Sequence, residues 1–321
     1  MNAAANAPMN APVSAPARDV LLAAEDLSVR FGGVLAVNKV SFEVRKGEVF
    51  TLIGPNGAGK TTTMECIEGL RAPDRGTISV LGLDPLADAP ALQERIGVQL
   101  QEAQLQKRIT VSEAVGLWAS LYRRSVDGER LLDQLGLADK RDAWFMTLSG
   151  GQKQRLLIAL SLMNDPELVF LDELTTGLDP QARRAIWELV RGIRAREKTV
   201  FLTTHLMEEA ERLCDRVAII DHGRLVDIGS PADLVRRHCP ERTVVVTTGD
   251  AAAVLHFEAI PEVDTVARAG ADVTITGRDT NLLAKVIRCL ADEHIGVTDV
   301  RTEHRTLEDV FLRLTGHAMR D

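Results

Sequence analysis

Aromatic residues are scarce in this sequence, and positive charge is not in surplus. Phe, Trp and Tyr make up 4% of the 321 residues, which leaves few rings on which nucleic-acid bases could stack. Lys and Arg number 38 against 46 Asp and Glu, so the net charge is −8. The chain therefore lacks the overall positive field that non-specific nucleic-acid binding requires, although a local basic patch would escape this argument. We expect no nucleic-acid partner.

Closely spaced cysteines and long apolar runs are also missing. Cys66, Cys214, Cys239 and Cys289 lie far apart with no C-x-x-C pair, which argues against a zinc ribbon or a dithiol site and favours small core residues in a reducing compartment. No uncharged apolar stretch reaches the roughly 20 residues that cross a bilayer. The Ala/Pro-rich residues 1–19 resemble no secretory signal and are predicted to be a disordered tail. We expect a cytoplasmic protein that acts on a membrane from outside the bilayer.

The rest of the chain has the composition of a globular protein, with 45% hydrophobic and 26% charged residues. Short strands precede residue 54, and helices and strands alternate after it, which predicts an α/β fold with a mainly parallel sheet. A helix-rich block at about 89–147 is predicted to be an inserted helical subdomain. Pro240 marks a boundary between a domain at 20–239 and a small α+β domain at 241–321, whose predicted order is β-α-β-β-α-β.

One glycine-rich segment has the spacing of a phosphate-binding loop, G-x-x-x-x-G-K-[ST]. An apolar strand precedes it and a helix follows, so backbone N–H groups and the positive end of the helix would face phosphate oxygens. The lysine would contact the β- and γ-phosphates, and the first threonine would bind Mg²⁺. The predicted ATP-binding residues are Gly54, Pro55, Asn56, Gly57, Ala58, Gly59, Lys60, Thr61 and Thr62.

Two carboxylates, Asp172 and Glu173, follow the apolar strand at 168–171. A strand that ends in acidic residues is common by chance. In a chain that also has a phosphate loop, such a strand end indicates a site for Mg²⁺ and for the attacking water. Asp172 is predicted to hold the Mg²⁺ shell. Glu173 is predicted to accept a proton from the water that attacks the γ-phosphate.

The segment Leu148, Ser149, Gly150, Gly151 and Gln152 stands upstream of these carboxylates. Together with the phosphate loop and the acidic strand end, LSGGQ resembles the signature of the ATP-binding-cassette (ABC) ATPases. The resemblance implies a P-loop NTPase fold of ABC type with an antiparallel β subdomain. It also implies that LSGGQ binds the γ-phosphate of an ATP held by a second subunit, so that the domains work in pairs.

The same resemblance assigns roles to single residues. Gln101 corresponds to the glutamine that senses Mg²⁺ and the attacking water, and Asp179 to the loop that communicates across the dimer. His205 corresponds to the histidine that holds the γ-phosphate and positions the base. Phe31 stands where an aromatic ring stacks on adenine. The family commonly has proline where this chain has Leu174, and we expect tuned rather than abolished activity.

The remaining histidines are interpreted as structural or solvated: His222, His238, His256, His294, His304 and His317. The C-terminal domain resembles the accessory domain of bacterial drug-exporter cassettes; a packing or dimer-stabilising extension is the alternative.

The predicted function is therefore ATP hydrolysis that powers a separate membrane permease. The predicted cofactors are ATP and Mg²⁺, and the predicted partners are a permease and a second ABC subunit at the inner face of the membrane. A homodimer is the first expectation, and a heterodimer with a related subunit stays open. Export of a small molecule, with a drug or antibiotic as the leading hypothesis, follows from the resemblance alone. The alternative is a soluble ABC ATPase that acts on ribosomes or chromosomes.

Overall fold

The computed structural model describes residues 19–99, 105–250 and 252–317. The predicted disordered tail at 1–19 lies outside these residues except for Asp19, and Gln101 lies outside them as well. The chain divides into two compact units. Of the described residues, one unit contains those up to Glu48 together with those within Thr61–Phe170 and Gly192–Phe201; the other contains Val49–Lys60, Leu171–Arg191 and those from Leu202 onward.

The strands of the described residues form three sheets with the orders β2-β1-β4, β5-β6-β7-β3-β8-β9 and β11-β12-β10-β13. In chain order they are β1 (Val20–Phe31), β2 (Val34–Arg45), β3 (Val49–Ile53), β4 (Arg75–Val80), β5 (Ile96–Gln99), β6 (Leu168–Asp172), β7 (Thr199–Thr204), β8 (Arg216–Asp221), β9 (Arg224–Gly229), β10 (Arg242–Thr247), β11 (Val263–Ala269), β12 (Asp272–Gly277) and β13 (Asp299–Glu303).

Eleven α-helices lie in the described part of the chain. They are α1 (Lys60–Ile67), α2 (Ala89–Gln93), α3 (Val111–Leu121), α4 (Gly128–Gln134), α5 (Gly150–Ser161), α6 (Pro180–Arg194), α7 (Met207–Leu213), α8 (Pro231–His238), α9 (Ala253–Glu258), α10 (Leu282–Asp292) and α11 (Leu307–Thr315). No helix among the described residues is both long and apolar enough to cross a membrane.

The six-stranded sheet has a parallel centre. Strand β3 pairs with β8 in parallel. Strands β6 and β7 run in the same direction, because Thr199 N donates to Glu167 O where they start and Glu173 N donates to Thr203 O where they end. Every residue of β3, β6 and β7 is buried, as expected of central strands covered on both faces. The α/β prediction is confirmed, and the carboxyl ends of these strands carry the candidate site.

The first sheet is antiparallel. Strand β1 pairs with β2 across the turn at Gly32, whose φ of +57° suits glycine, and with β4 on its other side. This antiparallel β subdomain agrees with the prediction. The block at 89–147 differs in one respect: residues 96–99 form strand β5 of the six-stranded sheet. The strand is only four residues long, too short for a clear periodicity.

The C-terminal residues form an antiparallel four-stranded sheet. Strand β10 lies between β12 and β13, and β11 pairs with β12. Helices α9 and α10 complete the predicted β-α-β-β-α-β order. Apolar side chains of these elements form one core cluster that includes Val246, Phe257, Ile275 and Val286, all fully buried. The module therefore has the core of a small α+β fold.

The four cysteines are free thiols, and three of them are buried. Burial raises the pKa of the Cys66 thiol to about 11. A thiol that stays protonated at neutral pH is a poor nucleophile and a poor metal ligand. The interpretation of these residues as core side chains agrees with their positions.

Candidate active site

The glycine-rich segment forms a tight loop between β3 and α1. A Cβ atom on Gly54 would lie 2.2 Å from the carbonyl oxygen of Ile220, so only glycine fits at the end of this strand. Gly57 and Gly59 have φ values of +82° and +101°, which side chains rarely adopt. Ala58 N donates to Pro55 O at 3.1 Å and closes the turn. The loop therefore has the compact backbone that a phosphate-binding loop requires.

Lys60 places a buried cation at this loop. Lys60 is only 6% exposed. Its Nζ donates to Gly54 O at 2.7 Å and to Pro55 O at 3.1 Å. Burial lowers the pKa of Lys60, while the charges of Glu173 and Asp172 act in the opposite direction. A cation with little water around it attracts phosphate oxygens more strongly than an exposed one.

Asp172 is the last residue of β6 and is 7% exposed. The hydroxyl of Thr203 donates to Asp172 Oδ1, which fixes the carboxylate at the end of the neighbouring strand β7. A carboxylate held in place at a strand end offers the oxygen ligands that Mg²⁺ prefers.

Glu173 follows with a φ of +46°, in the left-handed region that a non-glycine residue rarely occupies. Its Oε1 lies 3.7 Å from Nδ1 of His205, the residue directly after β7, and Thr176 Oγ1 donates to its Oε2 at 3.3 Å. The side chains of Glu173 and His205 are 13% and 23% exposed, so a water molecule can reach them. A carboxylate oriented in this way can act as a general base.

Asp179 and Leu174 lie on the segment after Glu173. Asp179 Oδ1 accepts hydrogen bonds from the backbone N–H groups of Gln181 and Ala182, both at 2.9 Å, and so caps the start of α6. Leu174 is 1% exposed and packs in the core. Leucine at this position is therefore accommodated by apolar burial.

The LSGGQ segment starts helix α5. Ser149 Oγ accepts from Gln152 N at 3.3 Å, and Gln152 Oε1 accepts from Ser149 N at 2.9 Å, which makes a complete capping box. Leu148 is buried, whereas Ser149 and Gly150 are exposed. The segment therefore presents the positive end of a 12-residue helix to the surface, as an anion-binding site does.

Phe31 ends strand β1 and is 44% exposed, with the guanidinium of Arg71 4.6 Å from its ring centroid. An exposed ring is able to stack on a base. Thr61 and Thr62 occupy the first turn of α1, where Thr61 is exposed and Thr62 is half-buried. The second compact unit contains Lys60, Asp172, Glu173, Asp179 and His205; Phe31, Thr61, Thr62 and the LSGGQ segment belong to the first.

Sequence reasoning missed residues that support the site. Besides Thr203, the clearest is Glu209 on α7, which is 1% exposed. Its Oε1 accepts from Trp187 Nε1 at 3.1 Å and from Thr175 Oγ1 at 3.2 Å. Burial raises the pKa of this carboxyl. Nothing in the sequence distinguishes Glu209 from its exposed neighbour Glu208.

Comparison with known proteins identifies the family. The ABC transporter family model matches residues 37–176. Nod factor export ATP-binding protein I of Ralstonia nicotianae is 42% identical over 310 residues, covering 94% of this chain and 95% of that protein. A solved ATP-binding subunit of an ABC transporter is 33% identical, with a TM-score of 0.61 over 68% of this chain and 92% of that chain.

A second solved structure is a dimeric ATP-binding cassette in a post-hydrolysis state bound to ADP and Pi. It is 25% identical, with a TM-score of 0.58, and the match covers 65% of this chain and 98% of that chain. The predicted resemblance and the ABC-type P-loop fold are confirmed. The chain belongs to the ABC transporter ATPases, the nucleotide-binding subunits that couple ATP hydrolysis to transport.

Proposed function

We propose that this ATPase is the motor subunit of an exporter for a small molecule. The observation that carries the proposal is the arrangement at the ends of β3, β6 and β7. There, a buried lysine lies within electrostatic reach of Asp172 and Glu173, and Glu173 lies 3.7 Å from His205. This is the set of charges that phosphoryl transfer to water needs: a cation for phosphate, a metal ligand and a base.

Each residue has a proposed role in that reaction. Lys60 binds the β- and γ-phosphates in the loop that begins at Gly54. Glu173 accepts the proton of the attacking water, and His205 holds the γ-phosphate and orients Glu173. The oxygen donors of Thr61 and Asp172 suit Mg²⁺, which would neutralise phosphate charge when bound. Gln101 and Phe31 remain predictions as the water-sensing and adenine-stacking residues.

A second subunit completes the site in this proposal. The exposed capping box at Ser149 leaves the N-terminus of α5 at the surface, where an anion held by a second subunit can bind in this proposal. The related cassette described as dimeric and bound to ADP and Pi supports a pair of subunits. We therefore propose a homodimer in which each LSGGQ segment binds the γ-phosphate of its partner's ATP and Asp179 communicates across the interface.

A membrane permease is the proposed partner for force transfer. On α3, Leu117 and Leu121 lie one turn apart and are 49% and 64% exposed, which gives the helix-rich region an apolar face. The export function named for the Ralstonia relative supports the direction of transport. The subunit would act at the inner face of the membrane. The proposed cargo is a drug or antibiotic, and the relatives named for export argue against the ribosome or chromosome alternative.

Co-purification tests this proposal. The tagged chain is expressed in its native cells, membranes are extracted with mild detergent, and the retained polytopic membrane protein is identified. We expect Leu121→Glu to reduce recovery of the permease strongly, because a charge cannot be buried cheaply in an apolar contact.

Leu255→Glu is the matched control, because Leu255 is 69% exposed and lies on α9 of the C-terminal module. It should leave recovery unchanged. Retention of ribosomes instead of a membrane protein would contradict the exporter assignment.

A further inference from the structure

Three potential metal ligands from distant parts of the sequence meet beside the phosphate loop. Asp221 is the last residue of β8, His222 lies in the turn before β9, and His317 follows α11. Asp221 Oδ2 lies 3.9 Å from His222 Nε2 and 3.6 Å from His317 Nε2. One ligand atom from each of the three residues lies within 4.8 Å of the other two. The sequence interpretation of both histidines as solvated or structural overlooked this convergence.

Asp221 gives an independent indication that a cation belongs here. Its side chain is only 11% exposed, and Oδ1 is buried without a hydrogen-bond partner among the described residues. A buried carboxylate oxygen without a donor costs free energy unless a cation lies nearby. The two imidazoles approach Oδ2, so a cation that they share would lie beside the same carboxylate whose Oδ1 lacks a partner.

Packing holds the His317 ring in place. The ring of Phe311, which is fully buried, contacts it edge-on with a centroid distance of 5.8 Å. Thr315 Oγ1 donates to the carbonyl of His317 at 3.0 Å and orders the chain after the helix. The His222 ring lies 6.2 Å from that of His317, also edge-on. One imidazole is thus fixed, and the other, 86% exposed, is free to adjust.

We propose that Asp221, His222 and His317 bind one divalent transition-metal ion of the Zn²⁺ class. In a tetrahedral site with bonds near 2.1 Å, neighbouring ligand atoms lie about 3.4 Å apart. The observed 3.6 and 3.9 Å separations need only small shifts, mainly of the exposed His222 ring, to reach this geometry. Two imidazoles with one carboxylate favour Zn²⁺ over Mg²⁺, and a water molecule would fill the fourth position.

The position of this site suggests what the metal does. Gly223, next to His222, donates its N–H to Ala58 O in the phosphate loop at 3.0 Å. Ile220 supplies the carbonyl that lies against Gly54. The metal would therefore connect the end of α11 to the turn that supports the phosphate loop, and its binding would stiffen that support.

Direct metal titration tests the site. The full-length chain without a histidine tag or nucleotide is titrated with Zn²⁺ in excess Mg²⁺ and followed by calorimetry and competition with a chromogenic chelator. We expect one equivalent to bind, and His317→Ala to weaken binding at least about tenfold. His304→Ala, which removes an exposed histidine outside the cluster, should leave the affinity unchanged.

Co²⁺ gives a second readout, because a tetrahedral site with nitrogen and oxygen ligands produces visible d–d absorption that His222→Ala should abolish. Circular dichroism checks that each variant is folded. The proposal is wrong if the unaltered chain binds no Zn²⁺. It is equally wrong if the His222→Ala, His317→Ala double variant binds Zn²⁺ as tightly as the parent.

Discussion

The strand-end cluster around Lys60 and Glu173 and the LSGGQ segment are built in opposite ways. Lys60 and Asp172 are 6% and 7% exposed, and contacts between residues far apart in sequence fix the cluster, as between Asp172 and Thr203. The bonds that shape LSGGQ join Ser149 to Gln152, three residues away, and Ser149 and Gly150 are exposed. The first arrangement requires the folded sheet. The second is a local helix cap formed within five residues, and its proposed ligand would come from a second subunit.

The largest expected effect is a loss of ATP hydrolysis, without a loss of ATP binding, when Glu173 is replaced. Glu173→Gln keeps the shape of the side chain but removes its ability to accept a proton. We expect ATP hydrolysis to fall by about 10²–10⁴-fold, while binding of a fluorescent ATP analogue is retained. Glu167→Gln, at an exposed glutamate just before the same strand, is the control and should hydrolyse ATP normally. Hydrolysis at the parent rate in Glu173→Gln would refute the assignment of the base.

A smaller effect isolates the role of the signature. Ser149→Asp retains an excellent helix cap, so α5 should keep its stability, but it adds negative charge where a phosphate is proposed to bind. We expect the ATPase activity of the dimer to fall at least about tenfold because of like-charge repulsion, with nucleotide binding by the single subunit unchanged. Ser149→Asn, an uncharged cap, should retain most of the activity. Equal activity in the two variants would argue against an anion at this helix end.

The smallest expected effect is a change in the free energy of unfolding when the buried Glu209 is replaced. Burial raises the pKa of Glu209, so the folded protein holds this proton more tightly than the unfolded chain. The stabilising contribution is complete below the ordinary glutamate pKa of about 4.3 and is lost as pH rises through the folded value. Glu209→Gln keeps an acceptor for Trp187. It should raise the free energy of unfolding by about 1 kcal/mol at about pH 8 and have less effect near pH 5.

Urea unfolding at the two pH values measures this difference. Glu208→Gln, at the exposed neighbour that pairs with Arg212, should change stability by less than about 0.5 kcal/mol at either pH. A destabilised Glu209→Gln at high pH would show that the ionised carboxylate stabilises the fold instead.

The contrast between the two regions also explains what the sequence could predict. LSGGQ and the phosphate loop are each an unbroken run of residues. Their spacing could therefore be recognised in the sequence without knowledge of the fold. Parts of the C-terminal module were predictable because β12 alternates in burial and α10 has apolar residues at helical spacing. Strand β9, with its half-exposed residues, and the short β5 gave no comparable signal.

Contacts between residues that are distant in the sequence could not be predicted from motif spacing. Nothing links Thr203 to Asp172 until β6 and β7 lie side by side. The convergence of Asp221, His222 and His317 likewise depends on where α11 ends. Charge and periodicity are local properties, whereas these groups are brought together by topology.

The left-handed backbone at Glu173 sets a limit on how far this protein can be stabilised without losing its activity. A non-glycine residue in that conformation costs roughly 1–2 kcal/mol, so glycine or asparagine would fit the chain better at position 173. Either replacement would discard the carboxylate. Selection for heat resistance alone would therefore favour replacement of Glu173, the residue to which we assign the base in ATP hydrolysis. Variants selected for thermal stability should be assayed for ATP hydrolysis first.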